Sequence, residues 1–282
     1  MEILGYIAAL IIGLSLGLIG GGGSILTVPV LVYLLGLTPV ISTAYSLFIV
    51  GLTSLVGSYR FYKKGLVSLK TAVVFGLPAI VAVYTTRRYI VPAIPEEIFE
   101  VGGFMVTKGV LLMLLFAGLM VFASISMIQK KKPAESIDDN ADTDIDVAHE
   151  NPDAPHPKPK FNYGGILAEG MVVGTLTGLV GAGGGFLIIP ALVLFSKLDM
   201  KMAVGTSLLI IAAKSLLGFI GDVYNYNIDW PFLAIFSSIS IAGIFLGSFL
   251  STKIHADKLK TAFGWFVLVM GIYIIVKEVF FA

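Results

Sequence analysis

One segment occurs twice in this chain. Gly17–Gly57 begins GLIGGGGSILTVPVLVYLLG, and Gly178–Gly218 begins GLVGAGGGFLIIPALVLFSK. Laid over each other at a constant offset of 161 with no gap, the two are identical at 16 of 41 positions, so the chain is a duplicated unit. In each copy a hydrophobic stretch runs into a glycine cluster, Gly20–Gly23 in the first and Gly181 with Gly183–Gly185 in the second. A short apolar stretch holding a proline follows, Pro29 in one copy and Pro190 in the other. Paired Gly/Pro-interrupted hydrophobic segments at corresponding places in two halves are the best sequence pointer to the substrate site of a transporter.

Composition names the solvent. Hydrophobic residues make up 57% of the chain, charged residues 13%, and mean hydropathy is +0.94, which places it among polytopic membrane proteins. The opening, MEILGYIAALIIGLSLGLIGG, starts acidic and has no small-x-small cleavage site, so it reads as a retained first helix. The chain has no cysteine, which excludes disulfides and thiolate metal sites. A net charge of +1 argues neither for nor against nucleic acid, and no nucleic acid is expected as a partner of a chain so apolar.

Apolar runs fall at 3–19, 24–36, 40–59, 70–87 and 103–129, then at 163–180, 185–197, 202–220, 230–251 and 260–281. That is five per half. The second run of each half is too short to span about 30 Å of hydrocarbon at about 1.5 Å per residue, so it must be tilted, re-entrant, or one limb of a broken helix. The fold expected is therefore an all-α polytopic membrane protein with two inverted repeats, residues 1–129 and 161–282, and broken or short helices at the centre. Between them, 130–160 is rich in Asp, Pro and Asn and nearly devoid of large apolar side chains, which makes it a flexible cytoplasmic linker.

Charge placement supports the inversion. With all ten runs crossing and the linker cytoplasmic, fourteen of the nineteen Lys and Arg residues lie inside, in the 60–70, 197–201 and 252–260 loops and the linker. Both termini are then outside. The basic 60–70 loop corresponds to 221–231, which has Asp222 and Asp229 and no Lys or Arg, so equivalent loops fall on opposite faces.

The glycine clusters do not fit nucleotide chemistry. No Lys followed by Ser or Thr comes after either last glycine, as a Walker loop needs, and no strand and downstream acid complete a dinucleotide fingerprint. Gly13/Gly17 and Gly174/Gly178 have the small-xxx-small spacing of close helix packing. Consecutive glycines in hydrocarbon are different, because an unwound backbone is tolerated only where protein covers it or it lines a polar cavity. The short helix that follows presents free N–H groups and the positive end of its dipole, a site for an anion.

The paired G-x-x-G-G-G-G-x-x-x-x-P and G-x-G-G-G-x-x-x-x-P elements carry a resemblance, together with Gly205-Thr206-Ser207-Leu208, its weaker counterpart Ala44-Tyr45-Ser46-Leu47, and the two halves around a polar linker. On these features the chain resembles the TauE/SafE family of sulfite-exporter-like permeases over both hydrophobic halves. Members are taken to move sulfur-containing anions such as sulfite, sulfoacetate or related compounds across bacterial inner membranes. The resemblance thus implies a multi-pass inner-membrane permease for a small anion. Its departure at Ala44-Tyr45, where Gly205-Thr206 stand in the other copy, argues against two identical half-sites.

Lys214 is the sharpest single residue, a cation about 12 Å along its helix from the nearest end. An intramembrane lysine marks a functional site by default, as counter-charge to an anion or as a member of a buried pair. Periodicity puts Ser207 on its face, with Thr206 adjacent, both able to donate to one oxyanion, and Ser46 is the equivalent hydroxyl of the first half. The candidate substrate-binding residues are Gly20, Gly21, Gly22, Gly23, Ser24 and Ser46 in the first copy. In the second they are Gly181, Gly183, Gly184, Gly185, Thr206, Ser207 and Lys214.

Lys108 can snorkel from its helix. Glu169 suits a coupling proton or an ordinary helix entry. Arg87 and Arg88 break the positive-inside pattern and suit either an extracytoplasmic anion vestibule or lipid headgroups. The function expected is secondary transport by alternating access, coupled to a proton or cation gradient because no nucleotide motif is present. A passive anion channel shares the pore-lining features. An intramembrane enzyme would need a base beside a nucleophile, yet His149, His156 and His255 all fall in the linker or a loop. No cofactor is implied.

Overall fold

The computed structural model describes residues 2–101, 104–128, 163–194, 196, 198–250 and 256–280. The first half contains α1 (Glu2–Ile19), a 3-10 turn at Gly20–Leu26, α2 (Thr27–Pro29), a π turn at Val30–Leu34, α3 (Pro39–Lys63) and α4 (Leu69–Thr85). A second π turn at Thr86–Ile90 and α5 (Val91–Ala93) follow, then β1 (Glu97–Val101), β2 (Phe104–Thr107) and α6 (Lys108–Ile128). The second half is α7 (Tyr163–Val180), α8 (Gly185–Leu194), α9 (Met200–Val223), α10 (Trp230–Leu250) and α11 (Ala256–Phe280). Six of the described helical stretches are long and apolar enough to cross a membrane. The outer faces of α4, α6, α10 and α11 expose Leu77, Val81, Phe122, Phe245 and Val269, a surface suited to lipid.

Local chemistry sets the ends. Pro39 begins α3, where its missing N–H costs no bond. Ser68 caps α4, its Oγ accepting from the Thr71 amide at 3.4 Å. Two expectations need correction. The run at 103–129 is not helical throughout: Phe99 pairs with Val106 and Val101 with Phe104 in an antiparallel hairpin, and the helix starts only at Lys108. The Gly102-Gly103 dipeptide between two β-branched and aromatic stretches is the turn signal that apolar content masked. The run at 70–87 also continues, as one apolar stretch from Leu69 to Ala93, so Arg87 and Arg88 sit inside a span and not in the loop after it.

The halves are related by inversion. α3 and α9 exchange under the 161-residue offset, and they run antiparallel. Gly205 near the start of α9 packs on Phe61 and Leu66 at the far end of α3, while Thr43 near the start of α3 is bonded to Arg87, which faces Asp222 at the far end of α9. α6 and α11, the other exchanged pair, are antiparallel too, with Gly264 beside Met127 and Ile128 and Gly271 beside Met120 and Val121. Equivalent helices lie antiparallel across a two-fold only when the axis is perpendicular to them, so one half is the other turned upside down. Pairs that are not self-equivalent repeat each other. Gly13 faces Ser240 and Gly17 faces Ile244 along α1 and α10; Gly174 faces Ala79 and Gly178 faces Val83 along α7 and α4. Each contact of one pair becomes a contact of the other when 161 is added or subtracted. At these glycines backbone meets backbone: a Cβ on Gly174 would stand 2.6 Å from the Ala79 carbonyl oxygen. Such close packing supplies the cohesion that the hydrophobic effect cannot supply between helices in lipid.

Each short segment folds back on the helix before it. Gly23 lies against Ser15 and Leu16, and Gly5 near the start of α1 lies against Leu35 just past the π turn. In the second half Gly184 lies against Thr177 of α7. α1 with residues 20–34 is therefore one helical hairpin, and α7 with α8 is its inverted copy, entering from the opposite end of the bundle.

Candidate functional site

The two hairpins place their glycine tips side by side between α3 and α9. A Cβ on Gly21 would stand 2.6 Å from the Gly185 Cα, and one on Gly183 would stand 2.6 Å from the Val50 side chain and 3.3 Å from Ser24. Val50 and Ile211, which touch these glycines, are midway along α3 and α9. The clusters that the sequence singled out thus meet in backbone contact at mid-height of the bundle. Gly20 and Gly181, equivalent in the repeat, both take a left-handed conformation, φ 75° and 72°, and reverse the chain at each tip.

Beyond that reversal the tips differ. The first winds into a 3-10 turn, and Ser24 closes it by donating its Oγ–H to the Gly21 carbonyl at 2.8 Å. The second has glycine where Ser24 would be, and it stays unwound through Gly183 and Gly184, at φ 66° and 71°, until α8 begins at Gly185. Its hydrogen bonds are those of a loop: the Gly181 amide to the Thr177 carbonyl at 2.8 Å, and the Gly184 amide to the Ala182 carbonyl at 2.7 Å. The first amides of α8 have no intrahelical acceptor.

Lys214 meets this second tip. It is fully buried on α9, and its ammonium stands 3.1 Å from where a Cβ on Gly184 would be. It donates to Thr177 Oγ1, which in turn donates to the Gly174 carbonyl at 3.2 Å. Among the described residues no carboxylate lies within salt-bridge distance of it. Of the two roles open to an intramembrane lysine, the buried pair thus lacks its carboxylate. A buried ammonium and the positive end of a short helix converge on one place. Thr177 was invisible to the repeat comparison because its counterpart is Leu16, just as Thr53 is the counterpart of Lys214.

The hydroxyls are placed otherwise than expected. Thr206 Oγ1 accepts the Ser68 amide at 2.9 Å, tying α9 to the loop before α4, about 12 Å of helix from Lys214. Ser207 donates to its own helix, at the Val204 carbonyl, 2.8 Å away. Ser46 is fully buried and its Oγ has no hydrogen bond among the described residues. Neither Thr206 nor Ser207 is hydrogen-bonded to the group that surrounds Lys214.

A second polar cluster occupies the end of the bundle opposite the 60–70 loop. Arg87 and Asp222 are both 0% exposed, with Nε and Oδ2 3.6 Å apart. Arg87 Nη1 donates to Thr43 Oγ1 at 3.0 Å. Thr43 is the residue against which Gly181 of the second tip packs, so cluster and tip are adjoining. Burying two such ions costs on the order of several kcal/mol each before their attraction is counted. Arg88 points elsewhere, donating to Asn225 Oδ1 at 3.2 Å and covering the Tyr224 ring at 4.7 Å. The expectation that joined the two arginines therefore separates: Arg87 is a core residue, and Arg88 is half-buried. Lys108 does not snorkel freely, being buried and 3.6 Å from the exposed Glu96. Glu169 is half-buried on α7. The 130–160 linker, all three histidines, and Lys197 and Lys253 lie outside the described residues.

Similarity to known proteins follows the same architecture. The family model described as sulfite exporter TauE/SafE matches residues 5–274. A probable membrane transporter protein of Xylella fastidiosa is 28% identical over 268 residues, covering 94% of this chain and 91% of its own. The probable membrane transporter protein YunE of Bacillus subtilis is 24% identical over 292 residues, with 98% and 99% covered. A probable membrane transporter protein of Methanocaldococcus jannaschii is 25% identical over 283 residues, with 95% and 93% covered. No solved structure matches. With a family match spanning nearly the whole sequence and lipid-suited helices on its outside, the chain is a multi-pass membrane transporter that belongs to the TauE/SafE sulfite exporter family.

Proposed function

We propose that the protein is a secondary transporter of small sulfur-containing anions of the sulfite, thiosulfate or organosulfonate type, working by alternating access around the meeting point of the two glycine tips. The observation that carries this reading is Lys214: a fully buried ammonium beside an unwound glycine loop and the start of α8, with no carboxylate within salt-bridge distance among the described residues. A cation so placed is costly in the empty protein and is neutralised when an anion arrives, which is the differential a binding site needs. Lys214 and the amides of Gly185 and Phe186 at the start of α8 are the donors that would replace the anion's water, with Thr177 holding the ammonium in place. The inverted repeat supplies the second requirement, because two related packings of the same hairpins can open the site to either face. The family's printed description, sulfite exporter, supports the choice of sulfur oxyanions.

The test is Lys214→Met in proteoliposomes, with sulfite, thiosulfate and a sulfonate offered in turn. Methionine has similar length and is cheaper to bury, so the variant folds with an unchanged or higher melting temperature. Affinity for the transported anion falls at least tenfold, about 1.4 kcal/mol. A stable variant with wild-type affinity overturns the site. Saturable uptake with counterflow marks a carrier, and ohmic current marks a channel.

A further inference from the structure

We propose that Arg87 and Asp222 form a second anion station where a sulfonate-type oxyanion and a proton bind together, the anion on the Nε/Nη2 edge of Arg87 and the proton on Asp222. This deepens the transport reading above and rests on it, since it names the coupling ion and the group that carries it.

The geometry is that of a pair held short of completion. At 3.6 Å the Arg87 Nε to Asp222 Oδ2 distance is too long for a hydrogen bond. Among the described residues, Arg87 Nε and Nη2 and both Asp222 carboxylate oxygens have no hydrogen-bond partner, although both side chains are fully buried. Buried charged groups are normally satisfied, so four orphaned atoms on two side chains that approach to 3.6 Å mark a place built for a further occupant. Nε and Nη2 project their hydrogens in parallel from one side of the guanidinium. That edge fits two oxygens of a planar or tetrahedral oxyanion in bidentate fashion. Nη1 is already committed to Thr43 and fixes the plane of the group.

Charge balance explains why a carboxylate sits there. Empty, the buried pair is neutral, one positive and one negative. An anion that displaced Asp222 from Arg87 without a proton would leave one uncompensated negative charge in a low-dielectric core. When Asp222 takes a proton from solution as the anion binds, the loaded station is again neutral. Anion and proton then travel as one neutral load, and Asp222 serves as the built-in competitor that keeps Arg87 paired between cycles. The surroundings agree. Tyr226, on the loop after α9, is held above the ordinary phenol range by burial and by the Asp222 charge, so it stays a neutral donor. Its OH is likewise unpartnered. Glu96 is exposed and paired with Lys108, while Arg88 is turned to Asn225 and Tyr224. α3 contributes the neutral Thr43, and the hairpin tip contributes backbone at Gly181. Lys214 follows about 12 Å down α9, the next cation on the route inward. In the repeat, Arg87 and Asp222 correspond to Ser248 and Phe61, so the station is not duplicated at the equivalent positions.

Methanesulfonate is the probe, because it stays ionised throughout the working range and any pH dependence belongs to the protein. Binding is read as the rise in melting temperature of the full chain in detergent, from about pH 6 to about pH 8 at constant ionic strength. The wild type binds at least tenfold more tightly at the lower pH. Asp222→Asn, which mimics the protonated acid, binds with the tighter affinity and no pH dependence, and in proteoliposomes it exchanges anion but no longer accumulates it against a proton gradient. The neutral double variant Arg87→Gln/Asp222→Asn leaves no charge stranded if Asp222→Asn alone does not fold, and it shows no pH-dependent binding. An Asp222→Asn protein with wild-type pH dependence, a double variant that retains it, or methanesulfonate that stabilises none of the three proteins overturns the proposal. Saturable, pH-independent uptake by the wild type overturns it too while leaving the transport reading intact. Loss of uptake in Lys214→Met tests that reading separately.

Discussion

The two hairpin tips begin from nearly the same sequence and end as different objects. Residues 20–24 read Gly-Gly-Gly-Gly-Ser, and residues 181–185 read Gly-Ala-Gly-Gly-Gly. Both reverse direction at an equivalent left-handed glycine. In the first, one hydroxyl bonds back to the Gly21 carbonyl, the turn winds up, and Leu16 and Thr53 are the residues at the repeat positions behind it. In the second, glycine replaces that serine, two more residues stay left-handed, and the positions of Leu16 and Thr53 hold Thr177 and Lys214. One tip is wound and closed by its own serine; the other is an equally buried but unwound loop facing a cation. Duplication supplied two equivalent places at the centre of the bundle, and a few substitutions in the shell behind one of them set a buried cation beside an unwound loop.

The comparison depends on the halves being inverted across the bilayer, and that is the point at which it breaks most completely. The natural chain has no cysteine, so single substitutions report cleanly. Lys64→Cys reacts with an impermeant thiol reagent from the cytoplasmic side only, and Asp229→Cys from the other side only. Labelling of both from one face removes the inversion and, with it, the equivalence of the tips.

Next in size is alanine at equivalent glycines. At Gly184 the backbone is left-handed, and a Cβ would overlap the Thr177 Cγ2 and stand 3.1 Å from the Lys214 ammonium, so the Thr177 side chain has to turn away from the lysine it holds. The conformational strain is roughly 1–2 kcal/mol, which a bundle with such extensive packing survives. Gly184→Ala therefore inserts and folds but transports at least a hundredfold more slowly. Its counterpart Gly23 is packed on backbone, with a Cβ only 2.6 Å from the Ser15 carbonyl carbon, and backbone cannot yield as a flexible side chain does. Gly23→Ala shows its effect first in the melting temperature, and what survives folding keeps wild-type affinity. Equal losses of affinity in both variants would mean that the tips act alike.

The difference between the tips also marks the limit of what the sequence discloses. The repeat, the broken segments, the membrane solvent and a lysine set deep within its helix were all legible, because each leaves a mark on residue type or spacing along one chain. Inversion was legible from loop charges. The β-hairpin before α6 was not, since alternation over four or five residues is drowned by a longer apolar run. Nor were the partners of the buried charges. Thr177 lies 37 residues from Lys214 and Asp222 lies 135 from Arg87, distances that only the packing of α7 on α4 and of α4 on α9 brings to contact. Helical periodicity put Ser207 on the same face of α9 as Lys214, and both are buried, but a face is a direction and not a depth. Ser207 spends its proton on its own helix, and Thr206 receives a loop amide instead of an anion.

The smallest expected effect concerns the equivalent hydroxyls Ser46 and Ser207. Both are fully buried, yet Ser207 donates to the Val204 carbonyl at 2.8 Å while Ser46 Oγ has no partner among the described residues. An orphaned hydroxyl in a dry core costs free energy, so Ser46→Ala is neutral or stabilising by up to about 1 kcal/mol. Ser207→Ala removes a local bond whose carbonyl keeps its helical partner, so it costs about 0.5–1 kcal/mol at most. If Ser46 is an anion ligand awaiting its occupant, the pattern in transport runs opposite to the pattern in stability. Ser46→Ala then melts no lower than the wild type but binds the anion several-fold more weakly, and Ser207→Ala melts slightly lower and binds normally. Measuring melting temperature and uptake affinity on both variants separates the cases. An Ser46→Ala protein that is stabilised and transports with wild-type affinity removes the first half from the binding site and leaves the chemistry to the second tip alone.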